Sequence, residues 1–280
     1  MREVSAVQVR DTVERLCLET NYRLGEDVRQ AIRQSQTLEE SPVGREVLAK
    51  ILENIALAEQ EKIPLCQDTG QAVVFVELGQ EVRITGGSLS EAINEGVRRG
   101  YQKGYLRQSM VKGIFERVNT GDNTPAIIHY DLTDGDQLKI TLAPKGGGSE
   151  NMSSLRMLKP ADGVEGISRF VLEVVDRAGA NPCPPIVVGV GLGGTMEKAA
   201  ILAKKALLRP LGQRNPDPRL AELEARLLTQ INDLGIGPQG LGGRVTALAV
   251  HIEDFPTHMA CLPVAVNLNC HCARHGEAVL

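Results

Sequence analysis

The fold class is decided by residues 186–206, which read IVVGVGLGGTMEKAAILAKKA. The first five residues are β-branched or glycine, which is typical of a buried strand. After a glycine-rich turn, a helical pattern begins near Thr195, and we predict a helix over 195–208. A strand that leads directly into a helix is the repeating unit of α/β proteins, in which helices cover a sheet.

The neighbouring segments continue this alternation. The apolar spacing predicts helices over 164–179 and over 217–233. Runs rich in valine and alanine then predict strands over 245–253 and 262–269. We therefore predict an α/β fold for this part of the chain.

The start of the chain has a helical pattern. Ser5 and Gln8 have the spacing of a capping box ahead of a first helix. A second helix opens at Ser41-Pro42, with its apolar residues on one stripe, and closes before Pro64. This N-terminal segment is predicted to be helical scaffold.

After Pro64 the spacing of apolar residues changes from that of helices to that of strands. Short β-branched runs predict strands over 72–78, 126–132 and 138–144, and a helix over 88–106, capped by Ser90, lies between the first two. The fold class is thus a helical N-terminal segment followed by a mixed-sheet α/β region. No internal repeat, low-complexity segment or clear linker interrupts the chain, so these patterns place no domain boundary within residues 1–280.

Composition excludes several classes of function. Aromatic residues make up 3% of the 280 residues, there is no tryptophan, and the formal net charge is −4. A chain with this charge has no positive electrostatic field to attract a polyanion, and so few aromatic residues offer no platform for stacking nucleobases. Composition therefore argues against nucleic acid and anionic membrane surfaces as partners. No apolar run is long enough to span a bilayer and the start lacks a signal-peptide pattern, so we expect a cytoplasmic protein.

Four loops are dense in glycine, proline, cysteine and charged residues, and each lies beside a predicted strand. They are PLCQDTGQ (64–71), KGGGSENMS (145–153), NPCPP (181–185) and NCHCARH (269–275). Functional side chains usually lie on loops at the ends of strands. We therefore place the candidate site on these four loops.

The cysteines in these loops are candidate metal ligands. Cys66 and Cys183 stand on backbone stiffened by prolines and a turn, although a small core cysteine beside a turn is the alternative at each position. Together with Cys270 or Cys272 they would form a widely spaced ligand set, unlike that of a ferredoxin or a zinc finger. Cys17 falls on an apolar helical stripe and is predicted to be core.

A zinc site formed by the last cysteines and histidines is less consistent with the sequence. Cys270, His271, Cys272 and His275 do not have zinc-finger spacing, and Cys261 and Cys272 are expected to pack near the site.

The glycine-rich segments also argue against nucleotide sites. The GVGLGG run at 189–194 lacks the acidic strand end that a dinucleotide site needs, so its glycines either permit close helix packing or present N–H groups to an anion. The triple glycine at 146–148 lacks Walker spacing but can bring backbone N–H groups against a carboxylate.

Taken in order, these motifs resemble a known enzyme family. The segments PLCQDTGQ, LRQS, NTGDNTPA, KGGGSEN, NPCPP, GGTMEKA, THMACLPVAVNLNC and CAR are similar to those of the alpha subunit of iron–sulfur (class I) fumarate hydratases and L-tartrate dehydratases. The resemblance covers nearly the whole chain. It implies that residues 1–280 form the cluster-binding, catalytic domain of an alpha-type chain.

The resemblance implies a [4Fe–4S] cluster held by Cys66, Cys183 and Cys270. One iron would then lack a protein ligand and act as a Lewis acid, without redox work. The implied reaction is reversible hydration of fumarate to L-malate, a step of the tricarboxylic acid cycle, with L-tartrate dehydration as the alternative. A non-catalytic iron–sulfur or anion-binding module is the third possibility, but an electron-transfer cluster generally has four thiolates.

The resemblance also implies roles for five further residues. Asp68 and His258 would form a pair that handles protons, and Gln67 would face the substrate. Arg107 would bind one substrate carboxylate through its planar guanidinium, while the backbone at Gly147 would contact the other.

The resemblance further implies a second chain. Among segments 64–71, 145–149 and 269–272 and Arg107, only Arg107, Lys145 and the open iron would offer positive charge to the dicarboxylate. Single-chain relatives continue into a second domain that supplies more cationic side chains. We therefore expect a beta subunit as partner, a dicarboxylate as substrate, and a higher hetero-oligomer.

Overall fold

The computed structural model describes all residues from Met1 to Leu280. The chain divides into two compact units. Unit 1 comprises Met1–Leu24, Ile55–Gly147 and Arg274–Leu280, and unit 2 comprises Gly25–Asn54 and Gly148–Ala273. The single domain expected from the sequence stays a prediction.

The structure contains helices and mixed sheets, which confirms the α/β fold class. The α-helices are α1 (Ala6–Tyr22), α2 (Glu26–Leu38), α3 (Pro42–Glu61), α4 (Leu89–Lys103), α5 (Gly147–Glu150), α6 (Gly163–Ala178), α7 (Met196–Ala206) and α8 (Pro218–Asn232). Single 3₁₀ turns are formed by Pro160–Asp162 and Pro238–Gly240. None of these helices combines the length and the apolar character that a membrane crossing requires.

The strands form two four-stranded sheets and two short ribbons. The strands are β1 (Arg2–Ser5), β2 (Gln71–Gly79), β3 (Val82–Thr85), β4 (Val111–Lys112), β5 (Val118–Asn119), β6 (Ile127–Thr133), β7 (Leu138–Lys145), β8 (Ser154–Leu158), β9 (Ile186–Gly193), β10 (Ala247–Phe255), β11 (Leu262–Asn269) and β12 (Gly276–Val279).

Unit 1 contains a sheet in the order β12-β7-β2-β6, together with the ribbons β1-β3 and β4-β5. Strand β2 is parallel to β6 and antiparallel to β7. Helices α1 and α4 pack against each other and share a core with the sheet, which includes Val74, Ile140 and Val97. Cys17 is fully buried in this core, as its spacing predicted, and burial raises the pKa of its thiol.

Unit 2 contains a sheet in the order β10-β9-β11-β8, in which β9 is parallel to β10 and antiparallel to β11. Valines of β9 pack on one face with apolar residues of α6 and α8. Helix α7 lies against β9 at its glycines. A Cβ at Gly191 would lie 2.0 Å from the carbonyl oxygen of Ala199, and one at Gly189 would lie 2.2 Å from that of Ala203. Close helix packing therefore accounts for these glycines of the GVGLGG run.

Most predicted elements are confirmed. The capping box is present, since the Ser5 hydroxyl accepts the Gln8 N–H while the Gln8 side chain accepts the Ser5 N–H. One detail was wrong: the cap of α4 is Ser88, whose hydroxyl accepts the N–H of Glu91, and Ser90 lies inside the helix. The sequence analysis missed β1, β3, β4, β5, β8 and β12, because runs of two to five residues have little periodicity.

Candidate functional site

Five of the eight predicted site residues lie in unit 1, and they surround the loop that leads into β2. Asp68 is the centre of their contacts. Its Oδ1 accepts the N–H of Gly70 at 3.0 Å, and its Oδ2 accepts the N–H of Gly147 at 2.8 Å. The structure therefore brings the Gln-Asp pair and the triple glycine together, as separate motifs predicted for one site.

The triple glycine allows this approach. A Cβ at Gly146 would lie 3.2 Å from Oδ2 of Asp68, which is tighter than ordinary packing. Gly147 itself is exposed, so its N–H can exchange its partner with a molecule from solvent. A backbone N–H that serves a carboxylate here can serve another carboxylate by the same geometry.

Cys66 lies beside this carboxylate and is half-buried. The backbone N–H of Asp68 points to its sulfur at 3.4 Å. The same sulfur lies 3.4 Å from Oε1 of Gln67, to which the thiol can donate. Gln67 and Arg107 are both exposed, and the Thr69 hydroxyl donates to the backbone carbonyl of Arg107 at 3.1 Å.

Three residues to which the sequence analysis gave no role hold the loop in place. The Tyr101 hydroxyl lies 2.9 Å from the carbonyl oxygens of both Thr69 and Gly70, and the ring is buried. Burial raises the pKa of this phenol, so the hydroxyl stays a donor. Asn123 donates to the carbonyl of Gly70 at 3.2 Å, and Arg274 donates to that of Asp68 at 3.0 Å.

Lys145 does not supply the exposed charge that the sequence analysis expected. Its residue is only 3% exposed, at the end of β7. Arg274 is 5% exposed and is engaged with the backbone of the 66–70 loop. Among these three cations of unit 1, Arg107 alone is exposed.

Unit 2 contains Cys183, Cys270 and His258. Cys183 has a left-handed backbone, with φ +56°, and is exposed. Although the residue as a whole is exposed, partial burial of its thiol raises the pKa of Cys183, and the negative charge of Cys270 is a second, smaller cause. The NPCPP and NCHCARH loops are in direct contact, because the backbone N–H of His271 donates to the carbonyl of Cys183 at 3.4 Å. Cys270 is half-buried and Cys272 is 3% exposed, and Cys270 as the third ligand stays a prediction.

His271 connects the two cysteine loops of unit 2. Its backbone N–H lies 3.4 Å from the carbonyl oxygen of Cys183, and its Nδ1 lies 3.1 Å from the same oxygen. Gln239 completes the contact, since its Nε2 lies 2.8 Å from the carbonyl of Pro184 and 3.2 Å from Nδ1 of His271. Sequence reasoning missed Gln239, although the glycine-rich stretch around it could have drawn attention to this loop.

His258 lies on the exposed turn between β10 and β11. Its Nδ1 accepts the N–H of Ala260 at 3.2 Å, which leaves Nε2 as the ring nitrogen directed to other groups. Asp68 belongs to unit 1 and His258 to unit 2, so their pairing stays a prediction.

The donor chemistry of these residues suits iron more than a hard cation. Three cysteines are predicted ligands, and thiolates are the ligands of iron–sulfur clusters. No group of three or more histidine, cysteine, aspartate or glutamate side chains forms a metal-holding arrangement in this structure. The fit accordingly rests on the thiols themselves and on the contact of the Cys183 loop with His271, the residue after Cys270.

Unit 2 also contains a cavity of about 390 Å³ beside these loops. One wall is formed by α3, through residues that include Glu46, Lys50 and Ile51, and the other includes Gln239 and His271. The side chains that connect the cysteine loops are therefore accessible from this cavity.

Comparison with known proteins identifies relatives over nearly the full chain. Residues 10–279 match the sequence model of the family described as fumarate hydratase (Fumerase). A protein of Methanocaldococcus jannaschii, named provisionally as an L(+)-tartrate dehydratase alpha subunit, is 44% identical over 275 residues, covering 96% of each chain. The L(+)-tartrate dehydratase alpha subunit of Escherichia coli K12 is 37% identical over 262 residues, covering 92% of this chain and 86% of the relative.

Proposed function

The chain belongs to the fumarate hydratase family, a family of hydro-lyases, and on that premise we propose that it is the alpha subunit of a two-chain, [4Fe–4S]-dependent hydratase of a four-carbon dicarboxylate. The proposed reaction adds water across the double bond of fumarate to give L-malate, and runs in both directions. The observation that carries the proposal is the contact between the loops of Cys183 and Cys270, which are far apart in the sequence: the backbone N–H and Nδ1 of His271 lie 3.4 and 3.1 Å from the carbonyl oxygen of Cys183.

Cys66, Cys183 and Cys270 would hold the cluster. When bound, such a cluster supplies an iron without a protein ligand, which acts as a Lewis acid toward a carboxylate and a hydroxyl. The thiol chemistry fits this group, because thiolates are the ligands of iron–sulfur clusters. A reducing compartment such as the cytoplasm suits reduced cysteines of this kind.

The remaining site residues would bind the substrate and move a proton. Arg107 is exposed and free to grip a carboxylate with two parallel N–H bonds. The Gly147 N–H would contact the second carboxylate, and Gln67 would face the substrate between them. We assign Asp68 and His258 to proton transfer at the hydroxyl, a role that suits a carboxylate paired with an imidazole.

L-tartrate dehydration is the second candidate. The names of the relatives from Methanocaldococcus jannaschii and Escherichia coli favour it. Both reactions remove or add water on a four-carbon dicarboxylate, so the same residues would serve either substrate. The relatives are named as alpha subunits, which supports a separate beta chain for this protein and hence a hetero-oligomer.

The test is anaerobic reconstitution of the chain with its candidate beta chain, followed by assays with fumarate, L-malate and L-tartrate. Turnover of fumarate and malate supports the first candidate, and turnover of tartrate alone supports the second. About four iron and four sulfide per chain are expected. Replacement of Cys66, Cys183 or Cys270 by serine should abolish cluster binding, whereas the core replacement Cys17→Ser should not. One zinc without sulfide would refute the cluster.

A further inference from the structure

We propose that Gln239 is a positioning residue that holds the Cys183 and Cys270 loops together, so that both thiols are in place before iron binds. This inference rests on the proposed function, because it takes these two cysteines as ligands. Gln239 lies outside both cysteine loops, on the turn Pro238–Gly240 between α8 and β10. Its contacts reach the residue that follows each cysteine.

The contact on the first loop is double. The backbone N–H of Gln239 donates to the carbonyl of Pro184 at 2.8 Å, and the side-chain Nε2 donates to the same oxygen at 2.8 Å. A carbonyl oxygen has two lone pairs, so it can accept both bonds. The backbone directly after Cys183 is therefore fixed by two donors of one residue.

The contact on the second loop runs through His271. The Nδ1 of this ring lies 3.2 Å from Nε2 of Gln239 and 3.1 Å from the carbonyl oxygen of Cys183. If Nδ1 carries no proton, it accepts from Gln239, and if it carries one, it donates to Cys183. The ring is tethered to the first loop in either tautomer, and His271 is the residue directly after Cys270.

The loop that presents Gln239 is itself held on both sides. The carboxylate of Glu39, which is fully buried, accepts the N–H groups of Arg244 at 2.9 Å and Val245 at 2.7 Å. On the other side, a Cβ at Gly240 would lie 2.3 Å from the Cβ of Ala180, so only glycine allows the loop to approach the segment before Cys183. The backbone of the loop that presents Gln239 is therefore held in place.

Gln239 has a backbone conformation that glycine adopts more easily, which indicates that the glutamine side chain has a role at this position. Its φ is +54°, in the left-handed region, where a residue with a Cβ is disfavoured. The loop has glycine at 237 and at 240, each with positive φ, yet a glutamine stands between them. A glycine would relieve the strain but would lose both side-chain contacts.

Holding the two cysteine loops together matters because two neighbouring thiolates repel each other until iron shares their charge. Loops that are tied together before iron arrives need less ordering when it binds. Residues that orient metal ligands typically change metal affinity by about 10–100-fold when they are replaced. We therefore expect Gln239 to control how firmly iron is held, with little effect on overall folding.

The test uses the full chain with Gln239→Met, which keeps the length and the backbone N–H but removes the amide. The control is Leu241→Met on the same loop, because Leu241 is 60% exposed. After anaerobic reconstitution with iron and sulfide, the rate of iron loss to a chelator and the visible absorption of the cluster are recorded. Gln239→Met should lose iron about tenfold faster than the parent, and Leu241→Met should match the parent.

A second variant separates positioning from stability. Gln239→Gly relieves the left-handed strain, so its thermal unfolding temperature should equal or exceed that of the parent. It should nevertheless lose iron as fast as Gln239→Met, which a purely structural role would not produce. Iron retention equal to that of the parent in both variants would overturn the proposal.

A readout without iron keeps the proposal separate from the proposed function. In the apo chain, amide hydrogen exchange of peptides covering 181–186 and 268–273 should be faster in Gln239→Met and Gln239→Gly than in Leu241→Met. Unchanged exchange would refute the tie between the loops. A parent chain that binds neither iron nor sulfide would refute the proposed function instead, and the exchange result would still decide whether Gln239 joins the loops.

Discussion

Replacement of Asp68 by asparagine should depress turnover far more than it destabilises the protein. The structure gives the reason in the two hydrogen bonds of the carboxylate. Oδ1 accepts the N–H of Gly70, which is buried, and Oδ2 accepts the N–H of Gly147, which is exposed. An asparagine side chain has one oxygen and one NH₂, so it can accept only one of these two bonds.

The energetic balance follows from the burial of the two donors. The asparagine oxygen should stay on Gly70, because a buried N–H without a partner is destabilising by about 1–3 kcal/mol. The NH₂ then faces Gly147, whose exposed N–H can turn to water. The net loss of stability is therefore about 1 kcal/mol, the difference between a bond to a charged and to a neutral acceptor. Loss of a general acid–base group lowers kcat by about 10²–10⁴, which is larger by several kcal/mol.

The assay measures kcat for fumarate hydration with the beta chain present, together with iron content and urea unfolding of the variant. Asp217→Asn is the matched control, since Asp217 also accepts a backbone N–H, that of Arg219 at 2.8 Å, but caps α8. The control should keep both kcat and stability, because asparagine caps a helix as well as aspartate. If Asp68→Asn keeps its cluster and a kcat within about threefold of the parent, Asp68 has no role in proton transfer.

Three other changes have expected outcomes. Arg107→Lys should lower kcat/KM by about tenfold or more, because a point charge cannot form two parallel bonds to a carboxylate, and unchanged kinetics would place Arg107 outside the site. Glu39→Gln should lower the free energy of unfolding at neutral pH by about 3 kcal/mol, since the carboxylate accepts four backbone N–H groups at 2.7–2.9 Å. Burial opposes ionisation, but these N–H groups hold the pKa of Glu39 below its usual value, so the difference from the parent in urea unfolding should shrink as the pH falls through that lowered pKa; a constant difference contradicts this. Gly191→Ala should destabilise unit 2 by about 3 kcal/mol, seen as a lower unfolding temperature, because its Cβ would meet the Ala199 carbonyl; an unchanged temperature would mean that α7 moves aside freely.

The regular elements could be predicted because their signals are local. The helices that become α1, α3 and α6 follow from apolar spacing, and β2, β7 and β11 follow from β-branched runs bounded by turns. The boundary of α4 was harder, since Ser88 and Ser90 are both good caps and only the backbone conformation distinguishes them. Strands such as β4 and β5 exist through their pairing with each other, which no short run of sequence records.

The candidate site was predictable where chemistry concentrates in one loop. Cys66, Asp68 and Gly147 stand in unusual glycine- and cysteine-rich segments, and the structure brings the last two into contact. Tyr101 gave no such signal, and the glycine-rich stretch around Gln239 did not reveal that its side chain contacts the cysteine loops. Tyr101 reads as an ordinary apolar position of α4, and its role depends on a hydroxyl that meets the Thr69 carbonyl only after folding. Residues that act by supporting a loop from a distance are recognised by their hydrogen bonds rather than by their sequence context.

The supply of positive charge leads to a final expectation, that the chain alone is inactive. A four-carbon dicarboxylate has two negative carboxylate groups. When a carboxylate moves from water into the site, a cation or several N–H donors must replace its hydration. Of the cations in unit 1 beside the candidate site, Lys145 and Arg274 are nearly fully buried, so Arg107 is left for both carboxylates. The relatives are named as alpha subunits, which implies a partner subunit, and under the proposed function further cations would come from that partner.

The corresponding experiment compares fumarate hydration by the anaerobically purified chain, with its iron and sulfide content confirmed, before and after addition of the candidate beta chain. Because one missing charge-stabilising donor typically lowers kcat by about 10²–10³, the chain alone should be at least about a hundredfold slower. Full activity without the beta chain would show that Arg107 and the proposed cluster suffice for both carboxylates, and the two-chain proposal would then be wrong.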